Sequence, residues 1–208
     1  MHTRRDWLRS SLGIGGLLLA PPNILSAQEK IDFIPRSLDP IIRLSSNENP
    51  YGPSKMVQER IKNSFVHACR YPYAYSDDLE LILAKKHGVD PESIIVTGGS
   101  TEGLKITGLT FASNGGEIIS GQPTFLAMMK FAEQWGASVN WVPVGADKGY
   151  DLDEIEKRIS SKTKLVFLCN PNNPTGTLVP AEKLVDFCNT ASKKTIVFSD
   201  DRRVWKLF

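Results

Sequence analysis

The chain has 208 residues, 41% hydrophobic and 23% charged, with 16 Gly and 13 Pro, a composition that excludes collagen-like and disordered classes. The net charge is +2, and Arg4, Arg5 and Arg9 against Asp6 account for all of it, so the body is neutral and lacks the basic footprint of a nucleic-acid binder. Cys69, Cys169 and Cys188 have no metal-ligand spacing and read as buried, reduced thiols.

Residues 1–27 read as an address rather than as part of the fold. A basic segment, Thr3 to Arg9, precedes a mildly apolar run, Leu12 to Ala20, that is too short and glycine-rich to span a bilayer. The consecutive Arg4 and Arg5 resemble a twin-arginine export signal, with Trp7 and Arg9 as departures from its commonest residues. Cleavage after Ala27 fits two small residues, Ser26 and Ala27, although Leu25 matches an A-x-A site poorly. Export to the periplasm through that machinery is the expectation. A basic tail or a lone amphipathic anchor on a cytoplasmic protein is the alternative.

A linker at 28–40 leads into alternating helix and strand patterns. Pro53 or Ser54 opens a helix whose Val57, Ile61 and Phe65 recur every four residues. A second helix is predicted from Ser76-Asp77-Asp78 to Lys85-Lys86-His87-Gly88, with Leu79, Ile82 and Leu83 on its apolar face. Acids at its start, bases at its end and a terminal glycine suit the macrodipole and a left-handed cap. Five apolar runs read as strands: Ser93–Thr97, Glu117–Ser120, Val139–Val144, Leu165–Cys169 and Thr195–Phe198. Helices are predicted between them over Thr101–Ala112, Thr124–Trp135, Leu152–Ile159 and Ala181–Ala191, the third opened by a capping-box-like Asp151-Leu152-Asp153-Glu154. Continuously apolar strands alternating with helices predict an α/β fold with a mainly parallel sheet covered on both faces.

Ligands of such sheets collect at the carboxyl ends of the strands. There the sequence places Gly98-Gly99-Ser100-Thr101-Glu102-Gly103, Gly121-Gln122-Pro123-Thr124-Phe125, Asn170-Pro171-Asn172-Asn173-Pro174-Thr175-Gly176 and Ser199-Asp200-Asp201. The first suits an anion on free helix-start amides, or merely a Ser-capped helix after a Gly turn. Phe125 suits a ring platform or the core. The third is a rigid polar corner or a tight turn.

Together with Arg43 to Ser54 (containing Asn47-Glu48-Asn49-Pro50-Tyr51-Gly52-Pro53) and Arg70-Tyr71-Pro72, these strings resemble the fold-type I pyridoxal-phosphate aminotransferases, histidinol-phosphate aminotransferases above all. The resemblance runs from Ile41 to Asp201 with motifs in family order. It implies the three-layer large domain of that fold, incomplete here, with an N-terminal helical arm contributing to the small domain. The implied segments are 1–27 for export, 28–75 for the arm and part of the small domain, and 76–208 for the cofactor domain. It implies that Ser100, Thr101 and Glu102 hold the phosphate of pyridoxal 5'-phosphate. Phe125 would stack on its ring, Asn173 bond the ring hydroxyl and Asp200 face the ring nitrogen. Tyr71 would reach the phosphate in the neighbouring subunit of a homodimer, and Asn47, Tyr51 and Gly52 would line the substrate entrance. The implied activity moves an amino group between an amino acid or amino-alcohol phosphate and a 2-oxo acid; no metal is implied.

The pattern departs after Asp200, where Asp201-Arg202-Arg203 puts Arg203 at the place of a family tyrosine. The Schiff-base lysine of the family has no counterpart here, since Lys85, Lys105, Lys130 and Lys164 lie in helix or strand patterns without its context. No catalytic residue is therefore assigned. The expectation is a truncated form, inactive and without cofactor, whose sheet lacks the neighbours of Ser93–Thr97. A decarboxylase or carbon–sulfur lyase on the same scaffold, or a non-catalytic remnant, are the alternatives.

Overall fold

The computed structural model describes residues 47–49 and 51–201. Residues 1–27, read above as an export signal, and Arg203 lie outside them. Two compact units divide the chain, Met1–Arg70 and Tyr71–Phe208.

In the first unit, α1 (Lys55–Ser64) starts on Ser54, whose hydroxyl accepts the Val57 N–H at 3.4 Å. Its predicted stripe of Val57, Ile61 and Phe65 is exposed.

The second unit opens with α2 (Tyr73–His87), three residues earlier than predicted, because the Pro72 carbonyl accepts the N–H groups of both Tyr75 and Ser76. Gly88 ends it in the left-handed region at φ 67°. Leu79 and Ile82 on its predicted apolar face are exposed, and Ala84 alone among its residues is buried. A 3-10 turn (Pro91–Ser93) and an extended segment follow. Ser93–Thr97 pairs with no strand among the described residues, and Ile95 is 84% exposed. The expected first strand is thus outside the sheet: its apolar residues carry β propensity, but a strand forms only against a partner's hydrogen-bonding edge.

Next come α3 (Ser100–Ala112), β1 (Glu117–Gln122), α4 (Ala127–Glu133), β2 (Ser138–Pro143), α5 (Leu152–Arg158), β3 (Thr163–Asn170), α6 (Ala181–Ala191) and β4 (Ile196–Asp201). The four strands form one parallel sheet in the order β2-β1-β3-β4. From Leu165 to Asn170 every residue of β3 is buried, as a central strand covered on both faces must be. Leu104, Met128, Met129 and Phe167 gather in one core cluster with α3 and α4, and Ile119, Ile155, Val166 and Phe187 in another with α5 and α6. Each such side chain contributes about 1.5–3 kcal/mol on burial. At the amino edge, Glu117 joins three strands, accepting the Thr163 hydroxyl at 2.7 Å and the Asn140 amide at 3.3 Å.

The handedness of parallel crossovers accounts for the layers. The step from β1 to β2 runs one way across the sheet, and the steps from β2 to β3 and β3 to β4 run the other. Right-handed connections then require α4 on one face and α5 and α6 on the opposite face. The direction reverses between β1 and β3. That reversal opens a crevice.

Candidate functional site at the carboxyl edge

Where neighbouring strands send their chains to opposite faces, the loops part and leave a cleft beyond the carboxyl ends. Phe125 follows β1, Asn173 follows β3, and Asp200 lies at the end of β4, on three strands adjacent in the sheet. Phe125 is half-buried against the Phe167 cluster, Asn173 is half-buried, and Asp200 is buried. Asp200 pairs in register with Cys169, whose thiol lies 3.9 Å from the Asp200 carboxylate.

The glycine turn reaches the same edge by topology. Ala112, at the end of α3, precedes the start of β1 by a short turn, so α3 runs antiparallel to β1. A 13-residue helix is about 20 Å long, the length of a six-residue strand. The helix packs on β3 and α4, and its first turn is thereby directed back toward the carboxyl edge. Ser100 and Thr101 are exposed there. Ser100 is not the cap, however: Gly99 is, at φ 110°, a conformation an L side chain rarely adopts, and no side chain caps the helix. Glu102 also differs from expectation. Its carboxylate accepts the Gly98 N–H and so occupies an amide of the turn.

The remaining sequence candidates are not brought to this edge by any observed contact. Tyr71 is 81% exposed and stacks on Tyr73 with ring centroids 5.5 Å apart. Asn47, Tyr51 and Gly52 belong to the first unit, where Asn49 closes a turn by accepting the Tyr51 N–H at 3.0 Å and donating to the Gly52 carbonyl at 2.9 Å. Tyr51 is 93% exposed. Among the lysines, Lys105 lies over the Phe131 ring at 5.5 Å and Lys164 donates to the Ser161 carbonyl at 3.4 Å. Cys69 is exposed rather than buried, while Cys169 is buried and Cys188 half-buried. Among the described residues no group of three or more His, Cys, Asp or Glu is placed for a metal ion. No described helix is long and apolar enough to cross a membrane.

Sequence reasoning missed the polar knot beneath the cleft. The Tyr150 hydroxyl lies 2.7 Å from that of Thr124, donates to Asn172 Oδ1 at 2.8 Å and accepts the Cys169 N–H at 3.1 Å. Thr124 also reaches Asn172 Oδ1, at 2.9 Å. The Asn172 amide nitrogen donates to the Pro123 carbonyl at 3.0 Å and the Thr175 hydroxyl at 2.9 Å. Apart from the Asn172–Thr175 bond, the partners are 19 to 49 residues apart and leave no local signature; the available signal is Gly121, the small residue beside the ring.

Burial pushes the Tyr150 phenol above its ordinary value, with the hydrogen bonds from Thr124 and Cys169 opposing and the charges of Cys169 and Asp200 adding to the rise. The fold thus favours the neutral phenol. That stabilisation is fully present below the unfolded pKa of about 10 and is lost as pH rises through the higher folded value. Melting temperatures at about pH 9 and about pH 11 test this. Tyr150→Phe is expected to lose less stability between them than the parent, and equal losses would contradict the burial argument.

The fit to a phosphorylated aromatic cofactor follows from these donors: a buried carboxylate, an amide and an aromatic ring at adjacent strand ends, with hydroxyls at a helix start. Fold and cleft define a doubly wound α/β protein with a ligand site at a topological switch point. The chain belongs to the aminotransferase class I and II family, which matches residues 39–202. Pyridoxal 5'-phosphate is the cofactor that goes with this family. A histidinol-phosphate aminotransferase from Halalkalibacterium halodurans is 36% identical over 167 residues, 80% of this chain and 45% of that protein. One from Caldicellulosiruptor saccharolyticus is 35% identical over 163 residues, 78% of this chain and 45% of that protein. The histidinol-phosphate aminotransferase of Sinorhizobium meliloti, solved in complex with pyridoxal-5'-phosphate, has the same fold. Its TM-score is 0.69 at 24% identity, over 74% of this chain and 42% of that one. The chain spans about half the length of the curated relatives it matches.

Proposed function

We propose that this protein acts as a pyridoxal-phosphate-dependent aminotransferase of the histidinol-phosphate type. That activity moves an amino group between an amino acid or amino-alcohol phosphate and a 2-oxo acid; since none of its lysines has the Schiff-base context, this 208-residue form is expected to be inactive by itself. The observation that carries this is the placement of Phe125, Asn173 and Asp200 beyond three adjacent strands of a chain that belongs to the family. Relatives about 35% identical support the substrate class.

The bound cofactor supplies an electron sink for a bond breaking at the amino-bearing carbon of the substrate. The residues supply its setting. Asp200, buried at the end of β4, would face the ring nitrogen, and a carboxylate there would favour its protonated form. Asn173 offers an amide to the ring hydroxyl, Phe125 an apolar face, and Ser100 and Thr101 hydroxyls to the phosphate. Tyr71, exposed in the second unit, is available to a neighbouring subunit, which fits a homodimer. Export through Arg4 and Arg5 is part of the same proposal, and replacing both by Lys should retain the protein inside the cell.

The resemblance implied a chain without cofactor, because the missing neighbours of Ser93–Thr97 would part the phosphate turn from Asn173 and Asp200. The return of α3 to the carboxyl edge favours non-covalent binding instead. Titration of the protein with pyridoxal 5'-phosphate, followed by quenching of tryptophan fluorescence, tests this. Saturable binding is expected, with Asp200→Asn weakening it by about 1.5–3 kcal/mol, the scale of a lost charge-assisted bond. Equal affinity in the variant would remove Asp200 from the site. No release of glutamate from 2-oxoglutarate with histidinol phosphate as donor is expected of this 208-residue form, and turnover would show that one of its lysines takes the Schiff-base role.

A further inference from the structure

We propose that Tyr150 is the positioning residue of this site: its hydroxyl locks the loops after β1 and β3 together so that Phe125 and Asn173 face one ligand. The functional meaning of the lock rests on the reading above, since it is the cofactor that both loops would hold.

Tyr150 belongs to neither loop. It lies in the connection between β2 and α5 and reaches across β1 to β3. A Cβ on Gly121 would meet Cδ1 and Cε1 of its ring at 2.3 Å, so that edge of the ring abuts the backbone of β1. Filling that space requires only a ring, which Phe would supply. The hydroxyl does something else. It bonds Thr124 of one loop, Asn172 of the other and the N–H of Cys169, the residue in register with Asp200.

Proton counting shows how tight the knot is. Tyr150, Thr124 and Asn172 Oδ1 make a triangle of three contacts, between 2.7 and 2.9 Å, yet the two hydroxyls carry only two protons. Two bonds exist at any instant, and the pattern can shift between arrangements without any heavy atom moving. Both amide protons of Asn172 are also taken, by Pro123 and Thr175. Asn172 is 3% exposed and saturated, so its backbone direction, and with it the place of Asn173, is fixed. Removing the Tyr150 hydroxyl leaves the Cys169 N–H without this acceptor and Asn172 Oδ1 with one donor instead of two. Such groups open to recruit water, and the loops follow.

Tyr150→Phe, Thr124→Val and the double variant test the lock by hydrogen exchange and by pyridoxal 5'-phosphate titration. Tyr150→Phe is expected to fold and to melt a few degrees below the parent, since three partners lose the hydroxyl. Exchange should rise about fivefold or more in peptides covering 121–126 and 169–177, with none in α3, and cofactor affinity should fall about tenfold, the factor for one such bond. Thr124→Val, which keeps the tyrosine ring, should produce the same local pattern even where Tyr150→Phe folds poorly. The double variant should be no more than about twofold weaker than the worse single, because both cut one network. Unchanged loop exchange, or a rise spread evenly over all peptides including α3, would overturn the proposal and leave Tyr150 a packing residue. A parent that binds no cofactor would defeat the functional reading, while loop exchange would still decide the lock.

Discussion

Phe167→Ala is expected to remove about 3–5 kcal/mol of folding stability, a large part of the roughly 5–15 kcal/mol that such a domain has. The ring is fully buried at the centre of β3 and stacks on Phe198 at 6.1 Å. Its own carbonyl accepts the Ser120 hydroxyl at 2.8 Å, so β1, β3 and β4 meet at this one residue. Alanine keeps the backbone bond and deletes the ring, leaving a void between stiff parallel strands that cannot close in. Urea unfolding measures the loss. A midpoint within experimental error of the parent would mean that the strands do collapse onto the gap.

Gly121→Ala should produce the second-largest effect, through collision rather than a cavity. The new methyl group would stand 2.3 Å from two ring carbons of Tyr150, with the backbone of β1 behind it. The ring must move, and its hydroxyl then leaves Thr124, Asn172 and Cys169. Overpacking costs about 1–3 kcal/mol and each lost hydrogen bond about 1 more. The diagnostic is a second background. In a Tyr150→Ala protein the same glycine change should cost far less, because the obstructing ring is gone. Equal costs in the two backgrounds would show that Gly121 matters for its backbone and not for the ring.

The parts of the fold visible in the sequence were those fixed by local chemistry. The predicted Ala181–Ala191 helix forms as read, and α5 starts where the Asp151 carboxylate accepts the Glu154 N–H at 2.9 Å. All four strands that found partners fall within a few residues of their apolar runs. Ser93–Thr97 has no neighbouring strand among the described residues, as the resemblance implied, and Ile95 is left 84% exposed. The helix expected from Thr124 begins only at Ala127, since the Thr124 hydroxyl is drawn into the polar knot. In the site, Phe125, Asn173 and Asp200 were visible as residue types at strand ends. Tyr150 was not, because a single tyrosine in a loop acquires meaning only from partners on other strands.

The strand order also decides how the molecule assembles. Glu117 and its partner Ser138 on β2 are 21 residues apart, Leu165 and Ile196 across β3 and β4 are 31 apart, and Glu117 and Thr163 across β1 and β3 are 46 apart. The entropy of closing a chain segment grows slowly, by about 0.6 kcal/mol per doubling, but it grows in that order. Two strand–helix–strand pieces can therefore form early, and the seam between β1 and β3 is the most remote contact left to make. The contacts of Ser120 with Phe167, and of Thr124 with Asn172, span that seam. The ligand crevice is the mouth of the same seam. A chain trapped as two unjoined halves would contain every strand of the sheet and no site at all, so ligand binding reports the last act of folding rather than the presence of secondary structure.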